Sequence, residues 1–184
     1  MYRALAADTV ALVVIDIQER LMAAIANRDD VIRNASLLLR LAEIQAIPKL
    51  VTTQYKAGIG PIVPSVAELV GESQPTFDKT EFSCLANEGA ARALTELGRK
   101  RLVLTGVEAH ICVYQTALAC RNAGYDVTVV ADAVGSRTAA NHAFGLERMR
   151  DVGCQIAPVE MVIYELLGKA GTPEFKRLLP HLKG

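Results

Sequence analysis

Short apolar runs rich in β-branched residues recur along this chain, and segments whose apolar residues repeat every three and four positions separate them. Residues 10–15 read VALVVI, 49–53 KLVTT, 101–105 RLVLT and 126–131 DVTVVA. A continuous β-branched run predicts a strand covered on both faces rather than one half in water. Between the first two runs, Val31, Ile32, Ala35, Leu38, Leu39, Leu41 and Ala42 fall on one stripe, which predicts a helix over 29–45 stopped by Pro48. Further helices are expected over 65–70, 87–97, 111–123 and 138–152, the last three closed by Gly98, Gly124 and Gly153. Short strands are expected at 76–79 and 154–157, a loop at 55–64, and two helices in the tail at 159–167 and 173–182. Strands alternating with helices over the whole length imply parallel βαβ units. The expected fold is α/β: a three-layer, doubly wound sheet of six mainly parallel strands with helices on both faces, in one domain over 1–184.

The composition fits that frame and narrows the partners. Of 184 residues 51% are apolar and 22% charged, enough to build a core without disulfide or metal staples. Twenty Lys and Arg balance twenty Asp and Glu, and Trp is absent. A chain without basic excess or stacking aromatics predicts no nucleic-acid partner, and one without a polybasic patch predicts no membrane partner. Four cysteines, at 84, 112, 120 and 154, form no C-x-x-C pair and have no His at zinc spacing. The apolar run at 10–15 is too short for a signal-peptide core or a membrane span. A cytoplasmic protein with reduced thiols is the expectation.

In open parallel sheets ligands bind beyond the carboxyl ends of the strands. The residues emerging there are Asp16, Lys79, the stretch Gly106-Val107-Glu108-Ala109-His110-Ile111-Cys112, and Asp132. An acid, an amine and a thiol therefore share one sheet edge. A cysteine entering a helix faces unpaired N–H groups and the positive end of the macrodipole, which favours thiolate. Those N–H groups suit an oxyanion formed on attack at a carbonyl. Asp16 is placed to take the thiol proton and later to activate water. Each residue alone has an ordinary alternative: a core cysteine, a capping aspartate, a solvated lysine.

Taken together, ALVVIDIQERL (11–21), DKTEFSC (78–84), LVLTGVEAHICVYQTALACRNAGYDVTVVADAVGSR (102–137) and AFGLERMRDVGCQI (143–156) resemble the isochorismatase-like cysteine hydrolases, the superfamily of nicotinamidases and N-carbamoylsarcosine amidohydrolase. Residues 106–112 are similar to the G-[VI]-E-[AT]-H-x-C stretch of its isochorismatase-domain-containing subfamily, and 53–60 to a glycine-containing loop of the same proteins. The resemblance implies a catalytic triad of Asp16, Lys79 and Cys112. It also implies a non-proline cis peptide between Glu108 and Ala109, an oxyanion hole from the Ala109 and Cys112 amides, and pocket walls from Gln18, Leu21, Phe82 and Tyr114. The metal-binding nicotinamidases carry D-x-H after the second strand, where this chain has Thr53-Gln54-Tyr55-Lys56, so neither metal nor other cofactor is expected. Isochorismatase itself lacks the cysteine and cleaves a vinyl ether by acid chemistry. Cys112 therefore points to covalent hydrolysis of an amide or ureido C–N bond in a small molecule, with vinyl ether cleavage or a non-catalytic scaffold as alternatives.

Other residues carry less. His110 stands two before Cys112, and positions two apart do not face each other on a helix; a structural role is expected. Cys84, Cys120 and Cys154 read as ordinary thiols, and Arg137 as a surface ion pair with a substrate carboxylate as its alternative. Phe175, Leu178, Leu179 and Leu182 make the last helix amphipathic, able to pack on this core or on a second subunit. The superfamily resemblance favours a homo-oligomer.

Overall fold

A computed structural model describes residues 4–182. In chain order the elements are β1 (Val10–Ile15), α1 (Glu19–Met22), α2 (Arg28–Ile44), β2 (Lys49–Gln54), α3 (Lys56–Ile59), α4 (Pro64–Val70) and β3 (Thr76–Lys79). A 3-10 turn (Cys84–Ala86), α5 (Glu88–Glu96), β4 (Arg101–Val107) and a π-helical turn (Ala109–Val113) follow. The chain then runs through α6 (Tyr114–Asn122), β5 (Asp126–Gly135), α7 (Ala139–Asp151), β6 (Gln155–Ala157), α8 (Val159–Leu167) and α9 (Pro173–Leu182). The strands form one sheet in the order β3-β2-β1-β4-β5-β6, and every neighbouring pair is parallel.

The period-two alternation of strand side chains divides the apolar residues between two cores. Val10, Leu12 and Val14 of β1 join Leu38, Leu41, Val162, Ile163 and Leu178 on the face covered by α2, α8 and α9. Ala11, Val13 and Ile15 join Leu94, Ala117, Cys120 and Met149 on the face covered by α5, α6 and α7. Leu178 is fully buried, with Phe175 and Leu182 packed against the same cluster, so the last helix spends its apolar stripe within this chain.

The strand order places a topological switch point between β1 and β4, where crossovers leave in opposite directions and a crevice opens. There the two backbones approach closely. Gly106 pairs with Ile15 at φ +125, and a Cβ on it would lie 2.0 Å from the Ile15 carbonyl oxygen. Only glycine fits both the space and the backbone conformation.

Three local readings are corrected. The expected loop at 55–64 contains the single turn α3, too short to show a helical period. β5 continues four residues beyond Ala131, through a register shift against β4 between Leu104 and Gly106. Asp132 thus lies within the strand and not beyond its end; its Oδ1 accepts from the Val159 amide at 2.7 Å, a carboxylate at the start of α8. The region from 111 begins in a π turn rather than a regular α-helix, so the wide turn, not an α-helical first turn, carries Cys112.

Candidate active site

Asp16 leaves β1 at φ +53, a left-handed conformation rare outside glycine, and its side chain is fully buried. Both carboxylate oxygens are bonded. Lys79 Nζ donates to Oδ2 at 2.6 Å and Thr52 Oγ1 to Oδ1 at 2.7 Å. Lys79 comes from the end of β3, two strands away, and is itself 1% exposed. It spans the end of β2, where Gln54 Oε1 accepts a second Nζ–H at 2.6 Å. The Cys112 thiol, 6% exposed, lies close enough to the same Asp16 carboxylate for each to shift the other's proton affinity. The three residues singled out in the sequence therefore meet at the switch point.

The electrostatics differ from the sequence expectation. Burial raises Asp16 above the usual carboxylate range and outweighs Lys79, Thr52 and Cys112, which all favour the ionised form. Burial and then the Asp16 charge push the Cys112 thiol up to about 12 against the pull of Lys79. The expectation of a resting thiolate is thereby corrected: the helix entrance and the lysine do not compensate for desolvation beside a carboxylate. The resting arrangement is a protonated thiol beside the Asp16 carboxyl group.

The turn carrying Cys112 is shaped from both ends. Ile111 and Val113 amides both donate to the Glu108 carbonyl, at 3.0 and 3.2 Å, which closes the widened turn. The non-proline cis bond lies at Val107–Glu108, one residue before the expected Glu108–Ala109 position. It falls where β4 ends, and Glu108 and Ala109 already belong to the start of the turn. Glu108 is held by Arg137, which donates from its backbone amide at 2.9 Å, from Nε at 3.1 and 3.2 Å and from Nη2 at 2.5 Å. Burial works to raise the Glu108 carboxyl, but these bonds prevail and hold it below its ordinary value. Behind the turn, Gly145 of α7 is buried so tightly that a Cβ would lie 2.9 Å from Ala109 C and His110 N.

The remaining expected site residues each have surroundings of their own. Gln18 is buried and its amide is spent on the scaffold: Oε1 accepts from Gln54 N at 2.7 Å, and Nε2 donates to the Gln54 and Gly60 carbonyls at 3.2 and 2.7 Å. Leu21 is half-buried against the α2-side core. Phe82 is 51% exposed on the segment after Lys79. The Tyr114 hydroxyl accepts from Arg148 Nη2 at 2.8 Å, turned toward α7. His110 Nδ1 lies 3.0 Å from Ser136 Oγ and not in the Asp16 network. A cavity of about 680 Å³ lined by Asp8, Lys100, Arg101 and Arg121 opens at the amino edge of the sheet, opposite this site.

Sequence reasoning missed Thr52, Gln54 and Gly145. The rule that located Asp16 and Lys79, inspection of strand ends, applied to β2 leads directly to Gln54 and, two residues earlier on the same face, to Thr52. Gly145 lies inside a helix, and only tertiary packing reveals its contact.

An Isochorismatase domain model matches residues 10–161. The chain belongs to the isochorismatase family. This isochorismatase-family chain is 37% identical over 175 residues to the secreted isochorismatase effector Isc1 of Phytophthora sojae, covering 94% of this chain and 83% of that protein. It superposes on the MAR1 ribonuclease from Caenorhabditis elegans with a TM-score of 0.92 at 32% identity, over 99% of this chain and 93% of that one. The YcaC gene product of Escherichia coli, described as an octameric hydrolase of unknown specificity, superposes with a TM-score of 0.91 at 25% identity, over 100% and 94%. The isochorismatase-like hydrolase fold accounts for the whole sheet. Among the described residues no group of three or more His, Cys, Asp or Glu is gathered for a metal, and no helix is long and apolar enough to cross a membrane.

Proposed function

We propose that this isochorismatase-family hydrolase cleaves an amide or ureido C–N bond of a small molecule through a thioester on Cys112. The observation that carries this reading is the buried cluster of Cys112, Asp16 and Lys79 at the switch point; the Ala109 and Cys112 amides of the adjoining turn are assigned to the oxyanion. As the sulfur attacks the carbonyl carbon, Asp16 takes the thiol proton, and the developing oxyanion accepts from the two amides. Collapse of the tetrahedral adduct breaks the C–N bond, and the proton on Asp16 passes to the departing nitrogen. Water then enters and gives a proton to Asp16 as its oxygen attacks the thioester. The thiolate leaves, recovers the proton from Asp16, and the acid is released. Lys79 favours the ionised form of Asp16 against the burial that raises its proton affinity. Gln18, Leu21, Phe82 and Tyr114 are assigned to the walls of the substrate pocket.

The mechanism calls for no metal or cofactor. We assign the chain to a single domain over 1–184, acting on a small molecule in the cytoplasm rather than on a membrane or nucleic acid. A homo-oligomer agrees with the octameric E. coli relative. Cleavage of a vinyl ether by acid chemistry is the second reading. It is favoured by the raised proton affinity of Asp16, which suits that residue to donate.

The test is turnover of a panel of primary amides, N-carbamoyl compounds and a vinyl ether, with acid quenching and peptide mass mapping. Hydrolysis with an acyl group trapped on Cys112, and loss of at least about a thousandfold in kcat/KM for Cys112→Ala, is the expected result. Turnover that survives Cys112→Ala but not Asp16→Ala favours acid cleavage. RNA is included because of the C. elegans relative, and RNA cleavage by wild type and Cys112→Ala alike sinks the covalent reading. So does the absence of any turnover or adduct.

A further inference from the structure

β2 sends two side chains into the site, and neither is part of the proposed trio. Thr52 and Gln54 stand two apart on a strand and so face the same side. Thr52 bonds Asp16, while Gln54 Oε1 accepts from Lys79 Nζ at 2.6 Å. The Gln54 amide is not free to turn, because its Nε2 donates to the Thr80 carbonyl at 2.8 Å. Its main chain is bracketed by Gln18, which bonds both Gln54 N and Gln54 O. Gln54 is also the Cα partner of Lys79 in the β2–β3 register, so backbone and side chain align the two residues together. A lysine on its own is a point charge on a flexible stem with three donors. Here two of those donors are directed, one to a carboxylate and one to a neutral oxygen that only accepts.

From this geometry we infer that Gln54 is a positioning residue, which shares the Lys79 ammonium with Asp16 and thereby sets how much of its charge Asp16 and Cys112 feel. The inference rests on the roles proposed above for those residues, but its first readout needs no substrate. The charged and titratable groups facing Lys79 are Asp16 from β1, Cys112 from the π turn, Cys84 from the 3-10 turn and, on the exposed side, Glu81. Gln54 is the neutral member of that ring. A charge placed at this position competes with Asp16 for the lysine.

The experiment follows the rate of Cys112 alkylation by iodoacetamide against pH, located by peptide mass mapping, in wild type, Gln54→Glu and Gln54→Met. Gln54→Glu keeps an acceptor and adds a negative charge. Its profile is expected to move to higher pH by about one unit, read as about tenfold slower alkylation at a fixed pH on the rising limb. Gln54→Met keeps the volume and removes the competing acceptor, so Lys79 turns wholly to Asp16 and Cys112 and the profile is expected to move the other way, to lower pH, by about half a unit. With an amide that the enzyme hydrolyses, Gln54→Met is expected to lose about tenfold in kcat with KM within about twofold, as for a group acting in the transition state. A Gln54→Glu profile that overlays wild type overturns the inference, as do equal shifts in both variants. Should Gln54→Glu fail to fold, a Gln54→Met protein with wild-type kcat overturns it as well. If no amide is turned over, the hydrolase reading fails by itself, and the alkylation profiles still decide the role of Gln54.

Discussion

Asp16 is a buried carboxylate with Lys79, Thr52 and Cys112 around it, and each can be replaced separately. Thr52→Val deletes the hydroxyl at 2.7 Å while keeping the side-chain shape. One oxygen of a buried charge is then unsatisfied, which is expected to lower stability by about 1–3 kcal/mol at neutral pH. The hydroxyl favours the ionised form, so its loss raises the proton affinity of Asp16 further. The acid limb of kcat/KM, set by ionisation of Asp16 in the free enzyme, is therefore expected to move to higher pH. The sign for stability runs the same way. A carboxyl raised in the folded state stabilises below its unfolded pKa, and that contribution is lost as pH rises through the raised value. The Thr52→Val deficit in urea denaturation should accordingly shrink in acid, where Asp16 is protonated. A deficit that stays constant across pH would show that the hydroxyl acts by packing alone.

Among the elements, the π turn Ala109–Val113 and the helix behind it work as one piece. Gly145 of α7 lets the two backbones meet, and Gly145→Ala puts a methyl group 2.9 Å from Ala109 C and His110 N. Overpacking of this kind costs about 1–3 kcal/mol. Because the displaced atoms belong to the turn that presents the Ala109 amide, kcat is expected to fall about tenfold or more, with KM changing less. A melting temperature and kcat that both match wild type would show that α7 simply recedes. The strands and long helices were legible in the sequence because β-branched runs and three-four stripes are local signals. Asp16, Lys79 and Cys112 were legible because a parallel sheet gathers its strand ends on one edge. The π turn was not, since a single widened turn leaves no period. The β5 register shift was hidden for a related reason: Asp132 reads as the end of a run although the strand continues to Gly135. Gln54 lay in plain view at the end of β2, in a stretch read only for its lack of metal ligands.

At the scale of the whole molecule, all four cysteines are buried, and the sheet edges and helices around them hold them as thiols. Burial pushes Cys112 and Cys120 up to about 12 and Cys154 up to about 11, from an ordinary value near 9. The folded chain keeps protons that the unfolded chain releases, so this contribution to stability is complete below about pH 9 and drains away as pH rises toward the folded values. The urea midpoint is expected to fall between about pH 8 and about pH 11, and less steeply in Cys120→Ala, which removes one of these groups. Equal slopes for the two proteins would exclude Cys120 from the effect. The same protonation has a consequence for Cys112 beyond stability. Near neutral pH, alkylating agents and peroxides that drift past meet a thiol and react slowly, because burial and the Asp16 charge hold its proton in place. On the mechanism proposed, the sulfur gains its full reactivity when a carbonyl sits against the carboxylate and the amides at once, so the molecule answers passing strangers slowly.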